Sequence, residues 1–185
     1  MGYTHYWTFN KGLTAHKYKK ALTACRKIIR SSPVLLGNGY GEGKPKLTNG
    51  IMINGVGDDS HETFGLPVTP QFDSQGQCSE FCKTAQKPYD VVVVACLCVL
   101  KHHLGHHIEV SSDGDPHEWE DGRSLASKVL GREVKIPQTV LDQCCMYGWA
   151  AKMYRAEHPE YLYTPLDITH PGHKTENVPN YAKVK

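Results

Sequence analysis

The sequence lacks a decisive charge of either sign: 21 Lys and Arg stand against 19 Asp and Glu in 185 residues, a formal net charge of +2. General nucleic-acid binding is therefore not expected, although a single local basic groove is compatible with that balance. No apolar h-region follows the opening Met1-Gly2-Tyr3-Thr4-His5-Tyr6-Trp7, so no secretory signal is expected. Tyr6 stands where N-myristoylation wants Ser or Thr. No apolar run approaches the roughly 20 residues of a membrane span, so no membrane partner is expected. No internal repeat or second domain is expected. The cysteines do not suggest a disulfide frame: there are seven, an odd number, with Cys96 and Cys98 in the most apolar segment and Cys144 and Cys145 adjacent. They read as buried free thiols in a reducing compartment, which points to the cytoplasm of a cell or of a virus-infected cell.

What is present is one strong organising segment, Lys87 to Gly105, with four consecutive valines and helix punctuation at both ends. Pro88 suits the first helical position, Asp90 the first turn, Lys101, His102 and His103 the last turn, and Gly105 the left-handed stop. The spacing and caps predict a helix over 88–104 that is apolar all round, and therefore buried.

Around it, a first strand is expected from Thr4 to Phe9, pinned inside a sheet. A helix follows, capped by Thr14 and running to about Arg30, with Tyr18, Ala21, Leu22, Cys25, Ile28 and Ile29 inward. Val34 to Leu36 reads as a short strand. Gly37, Gly39, Gly41 and Gly43 then form a flap or linker, which is not a Walker loop because Pro45 follows Lys44. Gly50–Val56 and His61–Leu66 read as a hairpin, 67–80 as loop, and His107–Ser111 as a strand. Asp115, Pro116 and Glu118 form a capping box for a helix ending near Gly131. A last helix is expected over about 137–158, and a Pro-rich extended tail over 159–185. The expected fold is thus α/β or α+β: one globular domain over 1–158, a mixed β-sheet and about four helices around the central one.

Four constellations bear on chemistry. His61 and Thr63, if on one strand, share a face, which is half of a two-histidine phosphodiesterase arrangement. His5-Tyr6-Trp7-Thr8 is one residue too long to be the second half. The step from Ser111 to Glu118 places Ser112 and Asp113 where a strand feeds a helix, a favoured ligand position. Its acids would repel phosphate unless a metal bridged them, or could accept hydrogen bonds from a base or ribose. The histidines at 102, 103, 106, 107 and 117, with Cys78 and Cys82, do not have zinc-site spacing. No metal is expected; Asp58, Asp59 and Asp113 are the carboxylates that would take one. Phe81 to Asp90 carries Lys83, Thr84 and Lys87 before the central helix, a basic-hydroxyl run suited to an anion. Cys82 would be a nucleophile only with a base nearby. Aromatics such as Trp7 offer flat faces for a nucleobase.

The opening residues 1–7, with Asn54-Gly55, His61-Glu62-Thr63-Phe64, Phe81-Cys82-Lys83-Thr84-Ala85, Lys87-Pro88-Tyr89-Asp90, Lys101-His102-His103-Leu104-Gly105, Val110 to Gly114 and Trp119-Glu120-Asp121, together resemble a family of small uncharacterised proteins common in bacteriophage genomes. The resemblance covers about residues 1–125. It implies a phage origin and the cytoplasm of an infected host, and transfers no catalytic residue. By analogy with other small phage proteins, it suggests a counter-defence role.

The leading expectation is a non-enzymatic binder of a phosphate-bearing small ligand, a nucleotide immune signal, needing no cofactor. Its pocket would be formed by His5, Trp7, His61, Thr63, Lys83, Thr84, Lys87, Ser112 and Asp113. One alternative is a hydrolase or phosphodiesterase with His61 or His5 as general acid/base. The other is a protein-protein inhibitor or phage accessory protein, with the last helix and tail as the surface for a partner or for homo-oligomer formation.

Overall fold

The computed structural model describes residues 3–143. Aromatic and β-branched residues make β1, Thr4–Asn10, a strand, and its alternation sends His5, Trp7 and Phe9 inward while Tyr6 faces solvent. β1 is the middle strand of three, flanked by β4 (Gln77–Lys83) and β5 (Ile108–Ser112), and both pairings are antiparallel. The expected central position of the first strand is met. The sheet expected to be mixed is antiparallel.

The loop expected over 67–80 ends early, because β4 occupies 77–83. Its pattern is weak: among its seven residues only Cys78 and Cys82 are buried, and Ser79, Glu80 and Phe81 are exposed. An edge strand covered on one face needs little hydrophobic signal.

The hairpin is shorter than expected, with β2 at Ile51–Ile53 and β3 at Phe64–Leu66. The side chain of buried Asn54 replaces the ladder beyond Ile53. Its amide donates to the carbonyls of Gly39 and His61, and its oxygen accepts from the N–H groups of Gly55 and His61. His61 and Thr63 therefore precede the strand and do not share a strand face, which removes the phosphodiesterase half-motif. Val34–Leu36 forms no strand; a single bridge joins Gly37 to Asn54.

Helix α1, Ala15–Arg30, is capped by Thr14 and buries the predicted stripe. Helix α2, Asp90–Leu104, begins two residues later than expected. Tyr89 is its cap and Pro88 lies just outside it, so Pro88 is not the first helical residue. Nine consecutive residues, Val92 to Leu100, have no exposure at all. α1, α3 (Pro116–Leu130) and β5 all pack on α2, which explains why a valine run survives as helix: burial on every side outweighs β propensity. Gly122 brings α3 close, since a Cβ there would lie 2.4 Å from Val94 Cγ1 and 3.0 Å from the backbone N of Ala95. Asp115 and Glu118 form the predicted capping box, and Gly131 ends α3 at φ 64°. α4 begins at Gln138, is described to Gln143, and packs on β5. The rest of the expected last helix and the tail lie outside the described residues. Four helices with two antiparallel sheets make an α+β fold.

Candidate functional site

One end of the three-stranded sheet gathers five chain segments. β1 begins there, β4 and β5 end there, and α2 and α3 start there. The register sets Thr4 opposite Lys83, and His5 opposite both Cys82 and Ser112. Residues more than a hundred positions apart in sequence become neighbours through pairing alone.

At the centre lies a buried polar chain. His5, with no exposed surface, places Nε2 2.7 Å from Asp90 Oδ1 and Nδ1 2.9 Å from Ser112 Oγ. Thr84, equally buried, donates its hydroxyl to the same Asp90 oxygen. Ser112 Oγ also accepts from Gly114 N at 2.9 Å and Trp119 Nε1 at 3.2 Å. The donor inventory fixes the roles. Asp90 accepts, so His5 carries its proton on Nε2; Nδ1 accepts the Ser112 hydroxyl; Ser112 oxygen receives two N–H groups. The rings of Tyr3 and Trp119 meet His5 edge-on, at centroid distances of 5.2 and 5.3 Å.

This order, Ser–His–Asp, has the connectivity of a hydrolytic triad with the two ring nitrogens exchanged. Its chemistry differs. A serine nucleophile needs a lone pair aimed at an electrophile, whereas both Ser112 lone pairs receive N–H groups inside the protein. The chain works as a brace that holds three strand ends and two helix starts together.

Beside it, Asp113 closes the end of β1 with a reciprocal pair: Thr4 N–H donates to its carboxylate at 3.0 Å and its own N–H donates to Thr4 O at 2.9 Å. The Tyr3 hydroxyl is buried without a hydrogen-bond partner among the described residues. Burial raises its pKa first, and Asp90, Glu118, Asp115 and Asp113 raise it further. Glu118 is itself raised, mainly by burial and then by Asp115 and Asp90. This side of the pole is acidic.

The other side carries His61, Glu62 and the ends of β4 and of the hairpin turn. His61 is exposed and its Nδ1 lies 2.8 Å from the carbonyl of Lys83. Because a carbonyl can only accept, Nδ1 carries a proton. Glu62 clasps the same strand end, its carboxylate accepting from Lys83 N at 2.8 Å. Lys87 Nζ donates to Asp58 O at 2.7 Å, tying the α2 entry to the hairpin. Ala85 and Gln86, between β4 and α2, both adopt positive φ, at 49° and 55°, a conformation that non-glycine residues seldom hold. Gln86 Nε2 then reaches Glu118 Oε1 at 2.5 Å, joining the two sides.

Of the nine residues proposed from sequence, His5, Thr84 and Ser112 are thus linked through Asp90, with Asp113, Lys83 and His61 directly around them. Three sit elsewhere. Trp7 is core, packed on Phe64 at 5.2 Å. Thr63 donates to Gly39 O at 2.5 Å and holds the glycine-rich turn. Lys87 faces the 57–59 turn. Sequence reading missed Asp90, Trp119 and Tyr3 as members; Asp90 looked like an acid placed for the helix dipole.

Asp58 and Asp59 lie exposed on the hairpin turn, away from Asp113, and among the described residues no three His, Cys, Asp or Glu side chains are grouped to hold a metal ion. Cys82 is fully buried and burial pushes its thiol up to about 12, which leaves it protonated at neutral pH and unsuited to attack. Among the described residues no helix is long and apolar enough to cross a membrane. No protein-family model, curated protein or solved structure matches the chain.

Proposed function

We propose that the protein binds a phosphate-bearing small ligand of nucleotide type at this pole and holds it without chemical change. The observation that carries the reading is the convergence of Lys83, His61, Asp113 and Glu118 on one end of the sheet. Lys83 would supply a cation for phosphate, with the exposed His61 ring held beside it by the Lys83 carbonyl. A few residues away, the carboxylates of Asp113, Asp115 and Glu118 would accept from a sugar hydroxyl or base amine. The occupied lone pairs of Ser112 support binding over turnover. The resemblance to small phage proteins adds the setting: a phage product in the infected cell, sequestering a nucleotide immune signal.

A hydrolase reading is favoured by one observation, the His61 ring. An exposed imidazole with Nδ1–H fixed on a carbonyl has, in its neutral form, Nε2 poised as a general base. Equilibrium binding of a panel of cyclic and linear nucleotides tests both readings. We expect retention by the parent chain and at least tenfold weaker retention by Lys83→Ala and His61→Ala. Unchanged affinity in both variants would overturn the site, and conversion of the ligand that His61→Gln abolishes would replace binder with enzyme.

A further inference from the structure

A groove of about 520 Å³ lies between α1, the last turn of α2 and the end of α3. Along α2, that is about 20 Å from Asp90, at 1.5 Å per residue to His103. One wall is a single stripe of α1, with His16, Lys19, Lys20 and Lys27 recurring at helical spacing. Arg132 and His103 stand across from it, Val129 and Leu130 contribute apolar surface, and among the described residues no acid lines it.

The charge here was invisible in the total. The first 41 residues hold seven of the 21 Lys and Arg and none of the 19 Asp and Glu. The remainder carries fourteen basic residues against those nineteen acids, so the net +2 is the sum of a basic beginning and an acidic remainder. Helix α1 concentrates the basic part.

An independent observation also points to a ligand. His103 lines the groove, and its Nε2 is buried with no hydrogen-bond partner among the described residues. A buried polar atom left unpaired costs stability that a ligand oxygen would recover. Burial, His102, Arg132 and Lys20 all disfavour its charged form, so the ring is set to bond as a neutral group until an anion arrives.

The α1 stripe from His16 to Lys27 spans about 16 Å, longer than one phosphate group requires. We propose that this groove binds a linear phosphate polyanion, either a short nucleic-acid strand or a free polyphosphate chain. Lys19, Lys20, Lys27 and Arg132 would pair with successive phosphates, and a turn of the His103 ring would bring Nε2 onto one phosphate oxygen. Among the described residues no Phe, Tyr or Trp lines the groove, so the phosphates would carry the binding and a strand would be held with little dependence on base sequence.

Fluorescence anisotropy with a labelled twelve-nucleotide single strand, and calorimetry with tripolyphosphate, test this on the full chain. Four phosphate contacts predict a log–log salt slope of about −3 for a strand, hence roughly 50-fold weaker binding at 200 mM than at 50 mM salt. The exposed triple change Lys20→Gln, Lys27→Gln and Arg132→Gln should weaken binding at least tenfold and flatten the slope, with the melting temperature unchanged. Lys44→Gln with Lys46→Gln, away from the groove, should leave it intact. Binding of the strand alone identifies a nucleic-acid source; binding of tripolyphosphate, with or without the strand, identifies a free polyphosphate. Failure of both probes, equal weakening by the Lys44 and Lys46 changes, or equal competition by a polyglutamate peptide of the same charge would overturn the proposal. Lys83→Ala and His61→Ala should not alter groove binding, so loss at the pole and loss at the groove are separable.

Discussion

Ser112→Ala separates a structural brace from a catalytic device. The change removes one oxygen and leaves three buried groups short of a partner: His5 Nδ1, Gly114 N–H and Trp119 Nε1. Each unsatisfied buried group costs about 1–3 kcal/mol, and local relaxation recovers part of the total. A net loss of about 2–4 kcal/mol is the expected result, against less than about 0.5 kcal/mol for a surface serine. For a chain of this size, that lowers the melting temperature by roughly 5–15 °C. Urea unfolding followed by tryptophan fluorescence reads the loss directly, because Trp119 donates to the deleted oxygen. His5→Ala should cost at least as much, and the double variant should cost less than the sum of the two, since the residues share one network. A loss below about 1 kcal/mol for Ser112→Ala, or strict additivity with His5→Ala, would refute the brace.

Three other outcomes follow from the packing and the titrating groups. Gly122→Ala gains helix propensity of about 1 kcal/mol, but its methyl would lie 2.4 Å from Val94 Cγ1 and 3.0 Å from backbone, so net destabilisation of about 1–3 kcal/mol is expected by denaturant titration. Cys25, Cys78, Cys82, Cys96 and Cys98 are buried free thiols, and burial pushes the Cys82 thiol up to about 12, so native protein at pH 7 should leave these five unmodified by a thiol reagent that labels them all in urea. The Glu118 carboxyl titrates higher in the folded chain than unfolded, chiefly through burial, so the native state holds its proton longer and loses stability as pH rises through the carboxylate range. Glu118→Gln should therefore gain on the parent chain between pH 3 and pH 7, and a constant difference across that range would contradict the assignment.

How much was legible in the sequence differs from element to element. The valine run with its charged ends announced α2 and its burial, and Asp115, Pro116 and Glu118 announced the start of α3 with its capping box. These are local signals, written in adjacent residues. β4 was not legible because an edge strand with two inward cysteines carries almost no alternation. The end of the hairpin was misread because Asn54, a side chain, makes the hydrogen bonds a ladder would have made. Membership of His5, Ser112 and Thr84 in one neighbourhood was anticipated from their types, but their bonding through Asp90 depends on strand register, which no spacing reveals. The α1 stripe was visible as lysines on a polar face; only the packing of α2 and α3 beside it turned that face into a groove.

The measurement that tests the central claim most directly is recovery of ligand. Purified protein is incubated with a defined nucleotide panel, separated from free ligand, denatured, and the released material analysed by mass spectrometry. The account predicts one class of phosphate-bearing nucleotide retained and released intact, with retention lost in Lys83→Ala. Release of a hydrolysed product, or no retention of any nucleotide, would contradict it.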